Sequence, residues 1–268
     1  EFMGINYGGT SRRIAVPDKL AFPSLNSVGE LALLDVAIAE VAAQANVTQW
    51  RDIRGAHDSR AWPADVAAYP GFEDELQPYL NRSSRQFDRE KVLRRVKTEF
   101  QEARRMIDGG PGFPERSSNF VDFACELNAR LAGGGEIRKG RVFIQQDMTG
   151  NTVEFPSAAN CLPLLRSVGA FIDEHRLRYP AVSAVVGFLA VLHAHPFPDG
   201  NGRTARTIFN TMLRTGLNSG HFMPLSLIAH LSQGGFILKI RRAMHGAEWI
   251  PLTRCFRDGL TVGSLRAR

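Results

Sequence analysis

The strongest hydrophobic periodicity in this chain falls at residues 181–194, where Val182, Val185, Val186, Leu189 and Leu192 recur at helical spacing and Ala and Gly fill the gaps. Such a segment predicts a buried helix. Pro196 ends it, because proline has no N–H to give and disfavours a helical conformation at the preceding residue, His195. Periodicity resumes over 204–214, with Ile208, Phe209, Met212 and Leu213 on the apolar side and Arg203, Arg206 and Arg214 on the polar one. The predicted order is helix, short polar loop, helix N-terminus.

Two more helices are legible upstream. Leu31, Leu34, Ala37, Ile38, Val41 and Ala42 make one face of a helix over about 30–45, and residues 88–107 read as a charged amphipathic helix. The stretch between them, 51–85, is broken by Trp62-Pro63, Tyr69-Pro70-Gly71 and Gln77-Pro78, and is expected to be an irregular connector, docked on the core in preference to the alternative, recognition of a target. Residues 7–25 lack periodicity and are expected to be extended or poorly ordered. Val142 and Ile144, then Val153 and Phe155, alternate around Asp147-Met148-Thr149-Gly150, which signals a hairpin. The fold class that emerges is mainly α, a helical bundle with one short β-hairpin.

Charge admits a nucleic-acid-binding reading, since 33 Lys and Arg face 27 Asp and Glu for a formal net charge of +6. Arg94, Arg95, Lys97, Arg104 and Arg105 gather on one predicted helix. Glu90, Glu99 and Glu102 interleave with them, however, which favours a solvated, salt-bridged face, and no nucleic-acid-binding motif accompanies the charge. An acidic target protein or a polyanionic nucleotide is the better match for the excess. Cys125, Cys161 and Cys255 are scattered and without metal-ligand spacing, so reduced thiols and a cytoplasmic setting are expected. No apolar run approaches a membrane span, and the start has no charged-then-apolar signal layout. Membrane partners are therefore not expected.

The candidate chemistry sits in the loop after the buried helix, His195-Pro196-Phe197-Pro198-Asp199-Gly200-Asn201-Gly202-Arg203-Thr204-Ala205-Arg206. Gly200, Asn201 and Gly202 let successive N–H groups turn toward one point, and the helix that follows adds its positive dipole end. That combination holds anions. Phosphate suits it best, because Arg203 and Arg206 both reach the first helical turn. Asp199 would repel a phosphate unless a cation stood between them, and a Mg²⁺ ion bridging one carboxylate and phosphate oxygens resolves the conflict. His195 has an unperturbed pKa near neutrality and can take a proton from a hydroxyl. Base, metal ligand, anion turn and arginine pair together describe phosphoryl or nucleotidyl transfer. Phe197 is assigned to structure, as an anchor of the loop.

This run resembles the signature of Fic-domain proteins, His-x-Phe-x-Asp/Glu-Gly-Asn-Gly-Arg-x-x-Arg, with every fixed position filled. The resemblance implies transfer of a nucleoside monophosphate, AMP from ATP or UMP from UTP, onto a Ser, Thr or Tyr hydroxyl of a target protein. It implies His195 as general base, Asp199 as Mg²⁺ ligand, Gly200, Asn201 and Gly202 as phosphate cradle, and Arg203 and Arg206 as catalytic and phosphate-holding arginines. Asn201 would also reach the α-phosphate through its side chain. A phosphoesterase that removes such a modification with the same residues is the alternative within this chemistry. Doc-like kinases of the family carry lysine at the second cradle glycine, here Gly202, which favours nucleotidyl transfer; a phosphocholine-transferring branch shows that the motif alone does not set the donor.

The likeness extends to Arg138 and the hairpin after it, the family's flap, along which a target segment adds as a strand. Val142, Phe143, Ile144, Gln145, Asp147, Gly150, Val153 and Phe155 are its expected docking residues. Glu248-Trp249-Ile250-Pro251-Leu252 through Phe256 resembles the closing segment, in which an aromatic pair packs the last helix. The implied organisation is an N-terminal extension over 1–84, a catalytic domain over 85–260 and a tail over 261–268. Many family members also carry an inhibitory helix whose glutamate, four residues after Ser or Thr and before Gly or Asn, pairs with the final arginine of the motif. The nearest approach here is Thr98 with Glu102, followed by Ala103. Arg206 is accordingly expected to be free for nucleotide, with any inhibitor supplied by a separate protein. The absence of that signature also leans toward a secreted effector acting in a host-cell cytoplasm.

Overall fold

The computed structural model describes residues 13–26, 29–44, 89–108, 120–144, 151–217, 222–232 and 234–264. Helices dominate, as expected. They are α1 (Glu30–Gln44), α2 (Arg89–Asp108), α3 (Phe120–Ala132), α4 (Ala158–His175), α5 (Pro180–Ala194), α6 (Asn201–Leu217), α7 (Leu225–Leu231), α8 (Gly235–Gly246) and α9 (Trp249–Ser264). Three short strands are described: β1 (Arg13–Ala15), β2 (Phe143–Ile144) and β3 (Thr152–Glu154).

The periodic segment at 181–194 forms the centre of the molecule. Helix α5 starts on Pro180, whose fixed φ suits the first turn, and nearly every residue along it is buried. It lies chiefly against α6, then α4 and α1. Phe188 meets Phe236 of α8 and Phe256 of α9, and Phe256 also packs on Phe209 of α6, so one aromatic cluster ties four helices together. Trp249 at the start of α9 is buried and donates its indole N–H to Ala21 O at 2.9 Å.

Residues of the N-terminal extension belong to the same core. Val16, Leu20, Leu31, Leu34 and Ile38 join one continuous hydrophobic cluster with α4, α5, α6 and α9. Asp35 of α1 is also buried, and accepts a hydrogen bond at 2.7 Å from Val182 N in the first turn of α5. A carboxylate there meets unpaired N–H groups and the positive dipole end. Burial nevertheless pushes its pKa up to about 6, against the downward pull of the Val182 and Ala181 N–H groups.

The hairpin is present but is not alone. β2 and β3 pair antiparallel with Phe143 opposite Glu154 and Ile144 opposite Val153, and β1 adds parallel on the other side of β3 with Ile14 opposite Val153. The sheet order is β1-β3-β2, so the unpatterned residues before the first helix complete the flap sheet. Alternation misassigned one residue: Val153 and Phe155 are buried, whereas Ile144 is as exposed as Phe143, on the edge strand of the sheet.

Helix α2 departs from the sequence reading in a way that matters for the site. Val92, Val96, Phe100 and Ala103 bury against Phe222 and Leu227 in a second, smaller cluster. Glu99 and Glu102, expected among the solvated charges, are on the buried side, with Glu99 wholly inaccessible. Arg94 and Arg95 stay exposed. Among the described residues no helix is long and apolar enough to cross a membrane.

Candidate active site

Helix α5 stops as expected, but the stop is a left-handed residue. His195 has φ 45° and ψ 53° and its N–H closes the last turn on Val191 O at 3.0 Å. A non-glycine residue in that region is uncommon and is held there by its surroundings. Arg138, buried at 5% exposure, supplies them. Its Nε donates to His195 O at 2.7 Å and its Nη1 to Gly140 O at 2.6 Å, while Nη2 donates to Pro156 O and, at 3.3 Å, to Ala194 O. The guanidinium thus caps the negative end of α5 and ties it to both ends of the hairpin. The backbone repeats the link, with Arg138 N donating to Pro196 O at 2.8 Å.

Phe155, the residue after β3, stacks on the His195 ring with centroids 3.9 Å apart and planes 21° from parallel. The imidazole is half-buried. Burial pushes it down from the usual 6.5 to about 4; the Leu192 backbone and Asp199 pull it upward and Arg138 adds to the fall. The ring is neutral at physiological pH, which is the form that accepts a proton.

The turn between α5 and α6 is locked by Asn201. Its Oδ1 accepts from Phe197 N at 2.9 Å and its Nδ2 donates to Phe197 O at 2.7 Å, so the side-chain amide imitates a strand partner. This departs from the expectation that the Asn201 side chain faces a phosphate: both of its polar ends hold the loop, and its backbone N–H is left at the opening of α6. Phe197 is completely buried. Helix α6 consequently begins at Asn201, three residues earlier than the hydrophobic pattern suggested, with Thr204 N closing on Gly200 O at 2.9 Å. The N–H groups of Asn201, Gly202 and Arg203 have no carbonyl inside the helix to meet.

Gly200 has φ 80°, and a Cβ there would come within 2.6 Å of Ala132 Cβ and 2.8 Å of Asn128 Nδ2. Asn128 of α3 buttresses the turn: its Nδ2 donates to Asp199 O at 2.9 Å and Thr204 Oγ1 at 3.1 Å, and its Oδ1 accepts from Gly135 N at 3.0 Å. Sequence reasoning missed Asn128 and gave Arg138 no role beyond marking the flap. A polar residue beside the apolar face of α3 was the available signal for the first.

Asp199 projects into solvent, with its Oδ1 accepting from Gly200 N at 2.6 Å and its Oδ2 from Arg203 Nη2 at 2.9 Å. Arg203 is also anchored through Nη1 on Leu131 O at 2.6 Å, at the end of α3. No group of three or more His, Cys, Asp or Glu side chains is placed for a metal among the described residues. A lone exposed carboxylate beside a helix N-terminus nonetheless suits Mg²⁺, which binds through one or two carboxylates and completes its shell with water and phosphate.

The largest departure concerns Arg206. It is not free: its Nε donates to Glu99 Oε1 at 2.6 Å, and Glu99 lies on α2, the helix that carries Thr98 and Glu102. The glutamate that pairs is one the motif comparison passed over, because Arg95 stands four residues before it and Phe100 follows it. Of the flap residues, Val142 is partly buried, Phe143 and Ile144 are exposed and Val153 and Phe155 are buried. Gln145, Asp147 and Gly150 lie outside the described residues. Cys125, Cys161 and Cys255 are free thiols, each raised by burial above the usual thiol pKa.

The central helix of the bundle thus delivers an imidazole to a glycine turn, with a short sheet laid beside it. Residues 120–213 match the family model described as Fic/DOC family. A protein adenylyltransferase Fic from Aedes aegypti is 30% identical over 96 residues, covering 33% of this chain and 18% of the relative. One from Drosophila virilis is 32% identical over 96 residues, covering 33% of this chain and 19% of the relative. The chain therefore spans about a fifth of the length of these curated relatives. A crystal structure of a Fic family protein from Desulfovibrio desulfuricans G20 aligns with a TM-score of 0.56 over 91% of this chain and 75% of that one, at 15% identity, a likeness of fold.

Proposed function

We propose that this protein transfers a nucleoside monophosphate from a nucleoside triphosphate to a Ser, Thr or Tyr hydroxyl of a target protein and releases pyrophosphate. AMP is the first donor group to test and UMP the second. The observation that carries the reading is the short loop that joins a neutral imidazole, His195, to the N–H-rich start of α6, its ends tied together by Asn201 and Phe197. The names of the matched relatives, protein adenylyltransferases, support the same direction.

His195 takes the proton of the target hydroxyl as its oxygen bonds to the α-phosphorus, and the bond to the bridging oxygen breaks with its electron pair leaving on pyrophosphate. The N–H groups opening α6 and Arg203 offset charge on the phosphates, and Arg206 reaches the outer phosphates once Glu99 releases it. Mg²⁺ held at Asp199 would add positive charge against the leaving pyrophosphate. The exposed outer edge of β2, with Phe143 and Ile144, receives the target segment as an added strand. Residues 85–260 are assigned to the catalytic unit, with residues 13–26 and 29–44 packed on it as scaffold. The free thiols suit a cytoplasmic setting.

The test is to incubate the protein, and its Glu99→Ala variant, with each labelled nucleoside triphosphate, Mg²⁺ and a cell lysate, and to read donor and target by mass spectrometry. A labelled band carrying AMP or UMP is expected. No label from any triphosphate with either protein overturns the reading, and nucleotide release from a premodified protein in its place favours the phosphoesterase.

A further inference from the structure

The carboxylate on Arg206 has a second donor. Glu99 Oε1 also accepts a hydrogen bond at 2.6 Å from Ser226 Oγ, on the first turn of α7. Glu99 Oε2 is buried with no hydrogen-bond partner, so among the described residues Arg206 and Ser226 supply the hydrogen bonds of this carboxylate. A buried charge depends heavily on each such donor.

The position of Ser226 is itself tied to Arg206. Asn210, one turn beyond Arg206 on α6, donates from Nδ2 to Met223 O at 3.0 Å and accepts at Oδ1 from Met223 N at 2.8 Å. Its Nδ2 also lies 3.1 Å from Arg206 O. The turn of α6 that carries the guanidinium therefore holds the segment that delivers the hydroxyl. On the other side, Phe100, next to Glu99, packs edge-to-face on Phe222 with centroids 5.0 Å apart. The second apolar cluster and the polar knot are thus continuous, and α2 meets this part of the molecule through both.

We propose that Ser226 is a positioning residue acting through Glu99: its hydroxyl holds the carboxylate on Arg206, and so sets how readily that guanidinium passes to the outer phosphates of a nucleoside triphosphate. The proposal rests on the nucleotide reading of the site. Without the hydroxyl the closed arrangement loses one hydrogen bond to a charged group, while an arrangement in which Glu99 leaves Arg206 loses nothing. The balance then moves toward an available Arg206.

Calorimetric binding of ATP and of AMP, each with Mg²⁺, to the wild type, Ser226→Ala, Ser226→Thr, Glu99→Ala and the Glu99→Ala/Ser226→Ala double variant tests this. Ser226→Ala is expected to bind ATP about tenfold more tightly, the size of one such hydrogen bond, with AMP affinity unchanged. Ser226→Thr should match the wild type, and Ser226→Ala should have no effect once Glu99 is gone. An equal effect in both backgrounds, or none with Glu99 present, overturns the proposal. A urea-unfolding cycle on the same two positions reads the knot without nucleotide. Coupling there with no ATP binding in any variant overturns the nucleotide reading, whereas absent coupling overturns the role of Ser226.

Discussion

Glu99 Oε1 lies 2.6 Å from Arg206 Nε, and the glutamate side chain has no solvent exposure while the arginine keeps 20%. The pair sits where Coulomb attraction is strong, and the arginine of the motif farthest along α6 is already engaged by this chain. Glu99→Ala is expected to raise target labelling and ATP affinity by at least about tenfold, as expected for the loss of a charge-assisted pair. In that background Arg206→Ala should weaken ATP binding more than ADP binding. Equal losses for the two nucleotides would remove Arg206 from the terminal phosphate.

His195→Ala is expected to lower transfer by at least about 100-fold, the range of a positioned general base, while ATP still binds. Near wild-type labelling by this variant would exclude His195 as the base.

The imidazole should titrate low. In NMR, His195 is expected to show a midpoint near the value of about 4 to which burial pushes it, and His193, buried against Pro17 O, a similar one. Both folded-state values lie below the unfolded 6.5, so the unfolded chain binds more protons between them. Stability is therefore retained above about pH 6.5 and falls as the pH drops toward 4. A His195 midpoint at 6.5 would contradict the half-buried ring stacked on Phe155.

Asp35 carries the opposite sign. Its folded value of about 6 lies above the usual 3.8, so ionising it opposes folding, and stability falls as pH rises through that window. Asp35→Asn keeps an oxygen for Val182 N and is expected to stabilise the protein by roughly 1–3 kcal/mol at pH 7 and to do nothing below pH 4. Urea unfolding at both pH values checks it; destabilisation at pH 7 would mean that the charge itself is needed at the start of α5.

Arg138→Met is expected to cost about 2–4 kcal/mol, because several buried carbonyls lose their donor, and to depress transfer by releasing His195 from its left-handed conformation. Arg138→Lys should rescue little, since an ammonium does not span the planar set of acceptors that a guanidinium does. Urea unfolding together with the labelling assay separates the two effects.

Local chemistry made much of this protein legible before any coordinates. The periodicity of Val182 through Leu192, the stop at Pro196 and the glycine turn depend on neighbours a few residues away, so the α5–turn–α6 unit and the placement of His195, Gly200 and Asp199 could be read along the chain. What depended on distant residues could not. Arg95 and Phe100 stand four before and one after Glu99 where the family pattern has other residues, and its hydrogen bond from Ser226, like the packing of its neighbour Phe100 with Phe222 and Leu227, comes from elements more than a hundred positions later. The unpatterned Arg13–Ala15 becomes a strand because β3 offers it an edge. Asn128 and Arg138 acquire their roles from a turn and a helix end that only folding brings to them. Sequence determined the two helices at the site, the loop between them and the groups able to do chemistry; tertiary structure decided which charges lose water, because burial and pairing belong to contacts between elements and not to any one segment.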